Sequence, residues 1–207
     1  MEILIDLQYL PNTLYFSLLA KADKVILEKH ENFVKQTYRN RSHILTSQGI
    51  DVLSIPLLGS QKKVPVSEIK IDYKQKWVNR HWKAIQSAYG KAPFFIHYAD
   101  MFEQELYSNY STLFELNQKL LTLCLKLLQI EISVEFSEAF EKKPSQPIID
   151  LRSAVHPKKP FTNIPQIVFT PYNQIFGKRF VEGLSVLDLL FSEGPNSEAI
   201  IKGQIIR

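Results

Sequence analysis

Cysteine and glycine are both scarce in this chain of 207 residues, and each shortage excludes a class of protein. The single cysteine, Cys124, cannot form an intrachain disulfide, which excludes a disulfide-stapled scaffold. With one cysteine and five scattered histidines, we expect no metal site. Glycine accounts for 7 of 207 residues, about half the usual share of roughly 7%. Glycine-rich phosphate loops are absent, so any phosphate site must use arginine side chains and helix ends.

Long hydrophobic runs are also absent. No segment reaches the roughly 18 apolar residues of a membrane helix, because the richest stretch, 120–130, is interrupted by Thr122, Lys126 and Gln129. The first six residues lack a basic region followed by a long apolar one, so we expect no signal peptide. These features predict a cytoplasmic protein without a membrane partner.

The charge balance is only mildly basic. Lysine and arginine number 25 against 21 acidic residues, giving a net charge of +4. This excess is too small to indicate a nucleic-acid partner, no nucleic-acid motif accompanies it, and we expect none. Hydrophobic residues make up 45% and charged residues 22%, as in globular proteins. The length predicts one domain over 1–207.

Hydrophobic patterning predicts an α/β fold. A strand at Ile3–Leu7, a helix at Thr13–Ala22 and a strand at Lys24–Glu28 form a unit that usually pairs its strands in parallel. Two strands, Ser42–Ser47 and Ile50–Ile55, flank Gln48-Gly49 in a hairpin or tight bend, and 64–71 is predicted to add another short strand.

The middle of the chain is helical. Helices are predicted from Lys76 to Tyr89, over 94–107 and from a Thr112–Glu115 capping box to about Gln129, where Cys124 is expected in the core. A proline-rich loop or lid over 141–165 leads to a last strand at 166–170 and a last helix at 185–191. We therefore predict a single α/β domain with a mixed, mostly parallel sheet and a helical block in the middle of the chain.

The densest polar cluster is the heptapeptide from Lys35 to Arg41. In an extended segment, Arg39 and Arg41 would point to one face with Asn40 opposite. Two guanidinium groups on one side suit a phosphate or carboxylate, with Lys35 nearby. The alternative is a solvated basic turn that pairs with Glu28 or Glu31.

Three further features are candidate site residues. Trp77 and His81 lie one helical turn apart and could offer an aromatic wall with a titratable group, although a structural histidine is the more common case. Gln8, Asn12 and Tyr15 surround the end of the first strand, where α/β folds collect ligands; Asn12 alone is better explained as a helix cap.

Asp188 follows Ser185 at the spacing of an acidic capping box. That local role is sufficient to explain the pair, so Asp188 is either a cap or a site residue.

In combination, these segments resemble the bacterial WbqC-like family. The most distinctive stretches are DLQYLPN, ending at Asn12, and KQTYRNR, ending at Arg41. The other matching stretches follow in order at 15–16, 22–23, 53–56, 77–89, 91–95 and 184–195.

The resemblance implies a cytoplasmic protein whose relatives are associated with lipopolysaccharide O-antigen synthesis, without an assigned reaction. The positions carried over by motif are Gln8, Pro11, Asn12, Lys35, Asn40, Arg41, Trp77, His81, Tyr98, Tyr172, Gln174 and Asp188. Two departures stand out: relatives often have tryptophan before the Asn-Arg pair, where this chain has Tyr38 and Arg39, and a Ser-Gly segment after Ile132 is replaced by a shorter stretch containing 150–152. If the missing segment holds substrate in the relatives, the shorter stretch implies a different substrate or a loss of catalysis.

Two functions follow as hypotheses. The first is an enzyme, a transferase or ligase, that acts on an activated anionic small molecule such as a nucleotide-sugar or an acyl or aminoacyl donor in surface-glycan modification. In this hypothesis His81 and Lys35 are catalytic. Substrate would be bound by Gln8, Asn12, Tyr15, Arg39, Asn40, Arg41, Trp77 and Asp188. The alternative is a binding or assembly protein that uses the same polar cleft without turnover. The sequence identifies no cofactor.

Overall fold

A four-stranded parallel sheet lies at the centre of the protein, whose computed structural model describes residues 1–59, 63–159 and 167–206. Its strands, in spatial order, are β5 (Ser133–Phe136), β2 (Lys24–Glu28), β1 (Glu2–Asp6) and β6 (Ile149–Asp150). All three pairings are parallel. The predicted α/β class with a mostly parallel sheet is therefore confirmed.

The two faces of this sheet are covered differently. Ile3, Ile5, Val25 and Leu27 are completely buried in the main core, as strand alternation requires. This core also contains α1 (Thr13–Leu19), every residue of which is buried. The opposite face carries Leu4 and Ile26, which line a pocket of about 330 Å³ together with residues of the irregular chain at 137–148.

The predicted hairpin is present as β3 (Arg41–Thr46) and β4 (Gly49–Ser54), paired in antiparallel register. The predicted strand over 64–71 is wrong. That stretch contains a 3-10 turn, Val66–Glu68, flanked by isolated bridges. Pro65 immediately precedes the turn and has no N–H to donate to a ladder.

The helical block follows the sequence pattern closely. It consists of α2 (Trp77–Tyr89), α3 (Phe95–Tyr107) and α4 (Leu113–Leu127). The capping box at Thr112 is confirmed, since its side chain accepts from the Glu115 N–H and the Glu115 carboxylate accepts from the Thr112 N–H. Cys124 is buried in the core as predicted. Among the described helices, none is long and apolar enough to span a membrane.

The last third of the chain differs most from the prediction. Strands β5 and β6 were not predicted, and β6 falls within the expected loop. The expected last strand is the short β7 (Ile167–Val168), paired with β8 (Ile205–Ile206) outside the main sheet. Residues 160–166, which include the rest of the expected lid, lie outside the described residues. The last predicted helix is α5 (Val186–Glu193), and α6 (Ser197–Gly203) was not predicted.

Candidate functional site

A polar pocket of about 250 Å³ opens beside the start of the hairpin, and we call it the 35–41 pocket. Asn40 and Ile55 fix its floor, because the Asn40 Nδ2 donates to the Ile55 carbonyl at 3.0 Å and the Ile55 N–H donates to the Asn40 carbonyl at 2.9 Å. These two residues flank the paired strands β3 and β4, so the hairpin positions the pocket. The described lining residues are Phe33, Lys35, Gln36, Asn40, Arg41, Ile55 and Leu57.

The charge of this pocket is positive. Lys35 and Arg41 line it, and none of the lining residues that the structure describes is acidic. The Arg41 Nε and the Asn40 Oδ1 are buried without a hydrogen-bond partner. A buried guanidinium N–H without a partner costs free energy unless a ligand accepts from it. The arrangement is therefore suited to a phosphate or carboxylate.

Arg39 does not line this pocket, so the prediction that Arg39 and Arg41 point to one face is wrong. Residues 35–40 form consecutive turns and not an extended strand, so side chains do not alternate there. The alternative named the correct partner, Glu31, but not its environment: Arg39 is 1% exposed instead of solvated.

Arg39 lies in a second, buried group at the carboxyl end of the parallel sheet, which we call the edge cluster. Its guanidinium donates from Nε and Nη2 to the two carboxylate oxygens of Glu31, at 2.7 and 2.9 Å, and lies 3.3 Å from Asp6. Asp6 also accepts from the Gln8 Nε2 at 3.1 Å and from the Ser153 N–H at 2.6 Å.

Burial governs the acid–base properties of the edge cluster. It raises the pKa of Glu31 to about 7, and Arg39 opposes this shift only in part. Burial also raises the pKa of Tyr15, and the negative charge of Asp6 adds to the increase. The cluster thus has one guanidinium for two carboxyl groups.

His81 and Trp77 contact each other inside the core. Their ring centroids are 5.0 Å apart, and the His81 Nδ1 shares a hydrogen bond of 3.0 Å with the Tyr9 hydroxyl. Burial lowers the pKa of His81 to about 4. The imidazole is therefore neutral at physiological pH and lies outside the 35–41 pocket.

Asn12 caps α1 as expected, since its Oδ1 accepts from the Tyr15 N–H at 3.0 Å. Ser185 caps α5 through the Leu187 N–H, but Asp188 does not complete a capping box. The Asp188 carboxylate instead accepts from the Tyr172 hydroxyl at 2.7 Å and from the Gln174 Nε2 at 3.0 Å. These bonds tie the loop after β7 to α5.

Comparison with known proteins identifies the family of this chain. The model of the WbqC-like protein family matches residues 8–165, more than half of the chain. The chain belongs to the WbqC-like protein family. It is also similar to the uncharacterized protein Rv1507c of Mycobacterium tuberculosis, with 29% identity over 143 residues, covering 67% of this chain and 60% of the relative. It thus spans less than two thirds of that protein. No solved structure matches.

The residues predicted for one site are distributed over five places in this WbqC-like chain. Lys35, Asn40 and Arg41 line the 35–41 pocket. Gln8, Tyr15 and Arg39 belong to the edge cluster, Trp77 and His81 form a buried pair, and Asp188 lies with Tyr172 and Gln174; Asn12 caps α1.

Sequence reasoning did not place three members of the edge cluster in a site: Asp6, Ser153 and Glu31, which it named only as a partner for a basic turn. A signal for Asp6 and Glu31 was present, because Asp6 lies one residue before the end of the predicted strand Ile3–Leu7 and Glu31 closely follows the next predicted strand, where ligand sites collect. No local signal marked Ser153, which arrives from more than a hundred residues away.

Proposed function

We propose that this WbqC-like protein binds a phosphate-bearing small molecule in the 35–41 pocket. The observation that carries the proposal is the buried Arg41 Nε without a partner, in a pocket whose charged lining residues are Lys35 and Arg41. An incoming phosphate would accept from that N–H and offset both positive charges.

The ligand class follows from the family. Resemblance to WbqC-like proteins associated with O-antigen synthesis favours a nucleotide-sugar or an acyl or aminoacyl donor, used in the bacterial cytoplasm for surface-glycan modification. A transferase or ligase of this kind releases a negatively charged leaving group. Lys35, at the pocket wall, would stabilise that charge as it develops.

Binding is tested first by thermal shift and calorimetry with nucleoside diphosphates, nucleotide-sugars and acyl-adenylates. We expect one class to raise the Tm, because a ligand of the native state stabilises it. Arg41→Ala should weaken binding by at least about tenfold, the effect of losing one charged hydrogen bond. The matched control is Arg80→Ala, which removes an exposed arginine on α2. Equal affinity in parent and Arg41→Ala would refute the phosphate role.

Binding without turnover is the second candidate, and one observation favours it. Among the described residues that line the 35–41 pocket, none is a carboxylate, histidine, cysteine or serine, so Lys35 is the only titratable group besides Arg41. Mass spectrometry of the ligand after incubation with protein and candidate acceptors separates the two. Conversion that Lys35→Met abolishes supports the enzyme, whereas tight binding without conversion supports the binding protein.

A further inference from the structure

The edge cluster is closed over by a distant part of the chain, residues 151–156, which we call the strap. The Ser153 N–H donates to Asp6, the Ser153 Oγ accepts from Arg39 at 3.2 Å, and the Val155 carbonyl accepts from the Gln8 Nε2 at 3.2 Å. Each of these contacts is a polar group of the strap bonded to a polar group at the end of the sheet. A ligand with hydroxyl groups could replace all three.

Two further groups in the edge cluster are buried without partners. The Gln8 Oε1 and the Tyr15 hydroxyl have no hydrogen bond, although both residues are completely buried. Buried polar groups are nearly always paired, so unpaired groups beside Asp6 and Arg39 indicate a missing partner. The strap satisfies the donors of Arg39 and Gln8 but leaves these two groups unsatisfied.

The chemistry of the cluster selects a neutral, polyhydroxylated partner. Asp6 and Glu31 would repel an anion, and the Arg39 guanidinium would repel a cation. Sugar hydroxyls both donate and accept, so they can bond carboxylates, a guanidinium, an amide and a phenol together. The location is also the one where α/β folds bind ligands, outside the carboxyl ends of parallel strands.

The edge cluster and the 35–41 pocket are neighbours. Arg39 belongs to one and Arg41 to the other, so their Cα atoms lie within about 8 Å of each other along the chain. The loop that carries the strap also touches both, because the Lys158 Nζ donates to the Gln36 Oε1. This closeness along the chain is the reason for treating the two sites together, with phosphate in the pocket and sugar at the sheet.

We propose that the edge cluster is the sugar subsite for a nucleotide-sugar and that the strap covers it as a lid. The proposal deepens the proposed function and rests on it. The closed strap competes with the sugar, so the apparent affinity is reduced by the fraction of molecules in which the strap is open.

Ser153 offers a matched pair of variants that move the strap in known directions. Its φ is +56°, in the left-handed region. Ser153→Pro excludes the closed strap, because proline fixes φ near −65° and lacks the N–H that bonds Asp6. Ser153→Gly loses the Oγ bond to Arg39 but keeps that N–H and tolerates positive φ, so it retains the other two contacts of the closed strap. Hydrogen exchange over 151–156 verifies both states.

The experiment compares UDP-glucose, GDP-mannose and dTDP-glucose with their nucleoside diphosphates by calorimetry. For at least one nucleotide-sugar, we expect the affinity of the parent to exceed its affinity for the matching diphosphate. In Ser153→Pro this sugar-dependent increase should be about tenfold larger. Tenfold is the increase expected if the strap is open in about a tenth of parent molecules and in all molecules of the variant. Ser153→Gly should match the parent within about twofold. Glu31→Gln should remove most of the sugar-dependent gain.

The other outcomes are distinguishable. If diphosphates bind through Arg41 but the sugar adds the same affinity in Ser153→Pro and Ser153→Gly, the sugar subsite is wrong and the proposed function stands. If only acyl-adenylates bind, the sugar subsite is wrong and the proposed function stands; if no diphosphate, nucleotide-sugar or acyl-adenylate binds any variant, both are wrong. Should Ser153→Pro not fold, Ser153→Ala replaces it, since it loses the Oγ bond to Arg39 and disfavours positive φ; an unchanged sugar gain in that variant overturns the proposal.

Discussion

At the scale of single residues, Arg39 shows how one guanidinium serves two carboxyl groups unequally. Asp6 accepts additional hydrogen bonds from Gln8 and from the Ser153 N–H, whereas Glu31 relies mainly on Arg39. Burial raises the pKa of Glu31 to about 7, and the charge and hydrogen bonds of Arg39 oppose this increase only in part.

The raised pKa of Glu31 predicts that the protein loses stability as the pH rises toward neutral. Because the folded-state pKa of Glu31 lies above its ordinary value of 4.5, its contribution to stability is full below pH 4.5 and is lost as pH rises through about 7. We expect the Tm of the parent to fall by a few degrees more than that of Glu31→Gln between pH 5 and 8. Scanning calorimetry in matched buffers measures the difference, and parallel curves would contradict the shift.

The lowered pKa of His81 predicts a loss of stability as the pH falls, the opposite direction to the effect of Glu31. Burial lowers the pKa of His81 to about 4. The unfolded chain therefore takes up a proton at this histidine near pH 6.5, whereas the folded chain takes it up only near pH 4. The parent should therefore lose stability between pH 6.5 and 4, and His81→Gln should lose less. His97→Gln, which changes an exposed histidine on α3, is the control and should retain the parent's acid response.

At the scale of elements, the sequence is most informative where a helix carries its own boundary signals. The Thr112–Glu115 box and the apolar spacing of α4 locate its start correctly. Strands β5 and β6 lack such signals, being four and two residues long with mostly exposed side chains. Their strand character comes from pairing with β2 and β1, and not from local pattern.

The cap of α4 gives a prediction of known size. Thr112→Ala should lower the free energy of unfolding by about 1 kcal/mol, because the Glu115 N–H loses its acceptor. Thr122→Ala in the same helix is the control; it removes only a bond to the Gln118 carbonyl and favours the helix slightly. Urea denaturation of both variants measures the difference, and equal stabilities would disprove a role for the cap.

At the scale of the whole molecule, long-range pairing determines what the sequence could not show. The predicted class and the first parallel pair depend on neighbouring segments, and both are confirmed. Arg39 lies in a different site from Arg41 because its side chain contacts Asp6 and Ser153. Those two residues come together only when β6 pairs with β1. Such a meeting leaves no periodicity in the sequence, so the candidate site was only partly predictable.

Packing between distant helices predicts a further sensitive position. Gly194, at the end of α5, has a φ of +52°, and a Cβ there would lie 2.3 Å from the Phe94 ring. Gly194→Ala should destabilise the protein by about 1–3 kcal/mol through strain and repacking. Gly203→Ala in α6 is the control, because the nearest atom to its added Cβ is 3.7 Å away. Similar Tm values for the two variants would argue against this tight contact.

Reaction of the buried Cys124 with a thiol reagent can be used to measure unfolding of the protein. Its thiol is completely buried, and burial raises its pKa, so a thiol reagent can react only when α4 leaves the core. No other cysteine competes for the reagent. The rate of Cys124 labelling therefore reports global unfolding, whereas the rate of hydrogen exchange at the strap reports local opening. A Ser153 substitution that speeds exchange but not labelling has moved the strap alone.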